Sequence, residues 1–311
     1  MTPRRRITAL LAALALSALQ AAAAAPASAG WRDDVGTLKV GFVAGDIPAD
    51  EIARLEKFRW QLQLSLAVPV ELYPARNYEA LIEAQSTGRV QYTVLSSLAY
   101  LALNQRCGCA EALAQPTTAE HARGFRALLV AKKDGPVQTL ADARNMRLAV
   151  GAADSLSGRR APLAGLGAEG IDPDSYFMRI VETGDSEAAL AALAADSADL
   201  ATAWSSATNP LSADSGSGPF ARLAGDGTLD PASLKVIWES ALIPFGPHVV
   251  RKELAPEAKQ ALLRTLTEMQ ATAPEAYDSI ERGFPGGFVA ADQALYDTLA
   301  TLLDVAKPDK P

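Results

Sequence analysis

Ser155, Ser157 and Gly158 are the residues whose types and spacing point most directly to a chemistry, the holding of a small anion. They sit in the run Leu148-Ala-Val-Gly-Ala-Ala-Asp-Ser-Leu-Ser-Gly158, where an apolar strand ends at Val150 and a helix opens after the glycine. A helix start presents unpaired N–H groups with the positive end of the helix dipole behind them. Two hydroxyls add donors, and glycine lets a ligand reach the backbone. The same serines would serve equally well as N-caps, satisfying those N–H groups internally. The motif alone leaves both readings open.

Other chemistries find little support. His121 and His248 are the only histidines, and neither lies in a nucleophile–base pattern. Gly-x-Ser-x-Gly, His-Glu-x-x-His and Walker A patterns are absent from the sequence, so an exported hydrolase is the weakest reading. No catalytic residue, metal or cofactor is expected. Cys107-Gly-Cys109 holds both cysteines, as a local bridge or as two free thiols at a helix end.

The N-terminus reads as an export signal. Arg4, Arg5 and Arg6 precede an apolar stretch at 7–19, and Ala27-Ser-Ala29 supplies a small-residue cleavage site near Ala29. Export to the periplasm follows. Loss of residues 1–29 leaves 26 basic against 36 acidic residues, a net charge of about −10 with His neutral. That balance argues against nucleic acid or an anionic membrane surface as partner. An anionic ligand would have to be held by local dipoles and hydrogen bonds.

The elements that must position the serines alternate in α/β fashion. Strands are expected at 38–43, 68–73, 92–95, 126–132, 148–150, 177–181, 199–204, 234–238 and 248–251. Helical periodicity covers 52–67, 78–87, 185–195, 256–272 and 291–303, and shorter helices are expected from 96–97 and near 140–144. Residues 208–218 read as a surface loop and 307–311 as a frayed tail. The order suggests a signal peptide at 1–29, one lobe from 30–130 and 240–311, and a second from 131–239. Crossings near 128–132 and 238–251 would form the hinge.

With these residues in view, the chain resembles the phosphate/phosphite/phosphonate-type substrate-binding proteins of ABC importers. The matching stretches include Leu38-Lys-Val-Gly-Phe-Val43, Tyr78-Glu-Ala-Leu-Ile-Glu-Ala84, Gly124-Phe-Arg-Ala-Leu-Leu-Val130, Asp154-Ser-Leu-Ser-Gly158 and Pro247-His-Val-Val-Arg251. The resemblance implies a two-lobed type II periplasmic-binding-protein-like fold with a hinge of two crossover strands. It also implies a monomer that closes on a small anionic ligand and delivers it to an inner-membrane permease. A ligand-presenting role toward a chemoreceptor or histidine kinase is the alternative.

The family's serine-threonine-serine-glycine loop is similar to Ser155-Leu156-Ser157-Gly158, which makes Ser155, Ser157 and Gly158 the leading ligands. Tyr78, Ser96, Ser97, Thr183, Ser186 and Trp204 complete the expected set, and each also has an ordinary role as cap, helix start or core residue. Departures are specific. Leu156 replaces a hydroxyl, Ser186 stands where a histidine often sits, Leu95 replaces an aromatic residue, and Trp204 replaces an acid used by some amine-bearing phosphonate binders. They weaken phosphate-type ligands and argue against an aminophosphonate. Trp204 could stack instead on an apolar or planar ligand group.

Overall fold

The computed structural model describes residues 30–45, 48–211 and 218–304. The expected signal peptide, the tail at 307–311 and most of the 208–218 loop lie outside the described residues. In chain order the first part comprises α1 (Trp31–Val35), β1 (Leu38–Val43), α2 (Pro48–Leu66), β2 (Val70–Ala75), α3 (Tyr78–Ser86), β3 (Tyr92–Val94), α4 (Ser97–Cys107) and β4 (Ala110–Pro116). The middle comprises β5 (Gly124–Lys132), β6 (Arg147–Val150), α5 (Ala161–Ala168), α6 (Pro173–Tyr176), β7 (Arg179–Glu182), α7 (Ser186–Ala194), β8 (Leu200–Ser205), α8 (Pro219–Gly225) and β9 (Leu234–Glu239). The last part comprises β10 (Ile243–Pro244), β11 (His248–Arg251), α9 (Pro256–Thr272), α10 (Pro274–Glu281), β12 (Phe288–Ala290) and α11 (Gln293–Leu302).

These strands form two sheets. The first has the order β12-β4-β11-β3-β1-β2, so two late strands lie among the early ones. Its β1, β2 and β3 run parallel, while β11 and β12 run antiparallel to their neighbours. The second runs β10-β5-β8-β6-β7, with β9 also on β5. There β6 is parallel to both β7 and β8, and β5 is antiparallel to β8.

The chain passes between the sheets twice, over residues 117–123 and 240–247. Beside these passages β10 pairs with the start of β5, Phe125 opposite Ile243 and Gly124 opposite Pro244. Residues 128–132, expected at the crossing, are paired with second-sheet strands β8 and β9. A Cβ on Gly124 would lie 2.1 Å from the Ile243 carbonyl oxygen, so the close approach of β5 and β10 requires glycine.

Apolar periodicity explains the layers. Leu55, Phe58, Leu62 and Leu66 recur on one face of α2; the last three are buried with Leu38, Val40 and Val70 of β1 and β2, and Leu55 with Phe42 of β1. Ala189, Leu190 and Leu193 of α7 do the same against Ala149, Ala201 and Ala203 in the second sheet. His248 is fully buried, bonded to the Tyr92 hydroxyl on one side and 3.0 Å from Glu281 on the other. It is a core residue that ties α10 to the sheet.

At the amino ends of β6 and β8, Arg147 clasps the Asp199 carboxylate through Nε at 3.0 Å and Nη2 at 2.7 Å. That guanidinium holds the Asp199 carboxyl below its ordinary range. Cys107 and Cys109 form a local disulfide across Gly108.

Some elements depart from sequence expectation. β4, Ala110-Glu-Ala-Leu-Ala-Gln-Pro116, is built from residues that favour helix, yet it pairs with β11 and β12. Flanking strands supply the partner its own propensity does not. The expected helix near 140–144 is a single 3-10 turn at Ala141–Ala143.

Candidate ligand-binding site

Parallel strands send their carboxyl ends to one edge of a sheet, and in open α/β sheets that edge is where ligands bind. Here the two such edges face each other. Ala75 and Leu95, at the ends of β2 and β3, belong to one buried cluster with Ala161 of α5, and Leu156 packs against it. α11 also lies against α5.

After β6 the chain turns through residues 151–155 and makes one wide π-type turn over Leu156–Arg160 before α5 begins at Ala161. Ser155 caps this turn, its Oγ accepting from the Gly158 N–H at 3.0 Å. The cap reading is therefore correct as far as it goes. Ser155 Oγ retains its own hydrogen to donate.

Gly158 is enclosed. A Cβ there would lie 2.9 Å from Ser155 Oγ, 3.1 Å from Gly151 Cα and 3.3 Å from Ser186 Oγ. Its carbonyl accepts from the Thr202 hydroxyl at 2.6 Å and from the Gly151 N–H at 2.9 Å. Ser186, buried at the first position of α7, thus brings a second hydroxyl to the turn. Asp185 caps α7 by accepting from Ala188 N–H at 2.8 Å, so the two N–H groups that open that helix stay turned outward. Ser157 is half-buried, and its hydroxyl makes no hydrogen bond among the described residues.

The structure places the other expected residues differently. Thr183 Oγ1 donates to the Val150 carbonyl at 2.9 Å, clamping the ends of β6 and β7, so its hydrogen points inward. Ser96 caps α4, accepting from Ala99 N–H at 3.2 Å. Ser97 is buried and donates to the Pro244 carbonyl at 2.7 Å, fastening α4 to the second crossing. Tyr78 opens α3 behind the Asn77 cap and is 43% exposed. Trp204 is half-buried, its ring edge-on to Phe125 with centroids 5.5 Å apart.

Thr202 and Gly151 were not singled out by sequence reasoning. Thr202 does carry a signal: in Leu-Ala-Thr-Ala-Trp it shares the strand face of Trp204. Within the turn Arg159 lies 2.7 Å from Glu182, and Arg160 is exposed.

Residues 40–296 match the family model described as "ABC transporter, phosphonate, periplasmic substrate-binding protein". The chain belongs to this family. It is accordingly a substrate-binding protein of the periplasm and not an enzyme, one of a class that binds a small ligand and delivers it to a membrane permease. Over 257 residues it is 26% identical to the phosphonates-binding periplasmic protein of Escherichia coli K12, covering 81% of this chain and 72% of that protein.

Two solved structures share the fold. A binding-protein component of an ABC phosphonate transporter from Pseudomonas aeruginosa aligns with a TM-score of 0.53 and 24% identity, over 86% of this chain and 85% of that one. PhnD1 of Prochlorococcus marinus in complex with methylphosphonate gives 0.55 and 16%, over 86% and 97%. The family member therefore has the type II binding-protein fold that its sequence suggests. No described helix is long and apolar enough to cross a membrane.

Proposed function

We propose that this family member captures a small phosphorus oxyanion, of the phosphonate, phosphite or phosphate class, between lobes drawn around its two sheets. Ser155, Ser157 and Ser186 donate their hydroxyls, the N–H groups opening the turn and α7 add dipoles, and Gly158 keeps the floor open. Tyr78 and Trp204 flank the ligand. Ser96, Ser97 and Thr183 act as positioning residues that hold helix starts and strand ends in place.

One observation carries this reading: hydroxyls from two separate helix starts converge on a glycine whose Cβ would crowd both. Each hydrogen bond to a charged group contributes about 1.5–3 kcal/mol, so a handful supports micromolar affinity, about −8 kcal/mol. Methylphosphonate bound by one solved relative and the phosphonates-binding name of another agree with the class. Ligand-dependent thermal melting tests it, because a ligand of the folded state alone raises Tm. Methylphosphonate, phosphite or phosphate should raise Tm and sulfate should not. A flat response to all three phosphorus anions would overturn the proposal.

A further inference from the structure

The serine turn carries an apolar wall. Leu156, set between the two serines, packs on a cluster that includes Leu95, Ala99, Ala127 and Ala161. Phe125 packs on the same cluster, and the Trp204 ring meets the Phe125 ring edge-on. Trp204 pairs across the sheet with Ala127 and shares the strand face of Thr202, the residue bonded to Gly158. Two residues along a strand advance about 6.6 Å, which carries Trp204 past the turn toward the carboxyl edge. Phe245 extends the aromatic surface, its ring centroid 6.2 Å from that of Phe125.

Three carboxylates close by in the chain are already engaged, while Asp154 beside Ser155 is exposed. Asp185 caps α7, Glu182 pairs with Arg159, and Glu239 lies 3.9 Å from Arg126. A phosphonate differs from phosphate and phosphite in carrying a carbon substituent, and something in the site must receive it. An aromatic and aliphatic surface favours a group that gains by leaving water, and it penalises an ammonium that would lose its hydration there.

We infer that this protein selects a phosphonate whose carbon substituent is uncharged and apolar, aryl or alkyl, seated on Leu156, Phe125 and Trp204 while the oxyanion lies on the serines. The inference rests on the phosphorus-oxyanion reading above and narrows it.

Calorimetric titration with phenylphosphonate, methylphosphonate and 2-aminoethylphosphonate tests it. Phenylphosphonate should bind at least about tenfold tighter than methylphosphonate, and the aminoethyl compound weakest of the three. Trp204→Ala should shrink the phenyl-to-methyl ratio to about threefold or less. Trp204→Phe, which keeps a ring in place, should retain most of the ratio and serves where the alanine variant fails to fold. Leu156→Thr should shift preference toward methylphosphonate. Equal affinity for the phenyl and methyl compounds, or tightest binding of the aminoethyl one, overturns this inference and leaves the phosphonate reading standing. No binding of any of the three overturns both.

Discussion

Serines open a helix at the carboxyl edge of each sheet, and the two edges use them differently. On the first sheet, Ser97 donates its hydroxyl to the Pro244 carbonyl, while Ser96 caps α4 and, like Ser155, keeps a hydrogen of its own. On the second, Ser155 caps its turn yet meets Ser186 across Gly158, and Ser157 has no hydrogen-bond partner among the described residues. A serine at a helix start is thus no site by itself. What marks the second edge is a second hydroxyl from another helix and a glycine whose Cβ would crowd both hydroxyls.

The largest break should come from Gly158→Ala. Its methyl would press on Ser155 Oγ and the Gly151 backbone, displacing both hydroxyls. Methylphosphonate affinity should fall roughly 100-fold, equivalent to losing about two charge-assisted hydrogen bonds, with about 1–3 kcal/mol of overpacking strain in a denaturant melt. Next come two serine variants with opposite signatures. Ser157→Ala should weaken methylphosphonate at least about tenfold with less than about 0.5 kcal/mol change in stability. Ser97→Ala strands a buried carbonyl and should cost about 1–3 kcal/mol, with the larger effect in the melt rather than the titration. If both variants move the same quantity, the contrast between the edges fails.

A smaller effect belongs to the far end of the second sheet. Because Arg147 lowers the Asp199 carboxyl in the folded state, the stability it contributes is complete above the ordinary Asp value of about 3.9. It is lost as pH falls through the lower folded value. Asp199→Asn should cost about 1 kcal/mol near neutrality, a figure reduced for the partial exposure of the pair, and should flatten that acid limb in melts taken against pH. The smallest effect is expected at Tyr78→Phe. Its ring is 43% exposed, so the change should alter affinity less than about threefold.

Much of this was legible in the chain. The strands at 38–43 and 248–251 and the helix at 256–272 have strong periodicity and clear turn residues, and they occur as read. β4 and α10 were missed because β4 is alanine-rich and pairs only through its neighbours, while α10 follows α9 after the single residue Ala273. The serine turn was recognisable from residue types alone. Which of its hydroxyls the fold itself engages was not, because that depends on three-dimensional partners. Thr183 looks like a ligand until its hydroxyl is seen on the Val150 carbonyl. Ser186, Gly158 and Thr202 meet only because α7 and β8 pack beside the turn.

The central claim, that the anion rests on the second sheet's serines, is tested most directly by a crystal structure of the protein grown with methylphosphonate. The account predicts phosphonate oxygens about 2.7–3.0 Å from Ser157 Oγ and Ser186 Oγ, with the methyl group turned toward Trp204. Ligand density held by Ser96 and Tyr78 alone, with the Ser155–Ser186 pocket filled only by water, would contradict it.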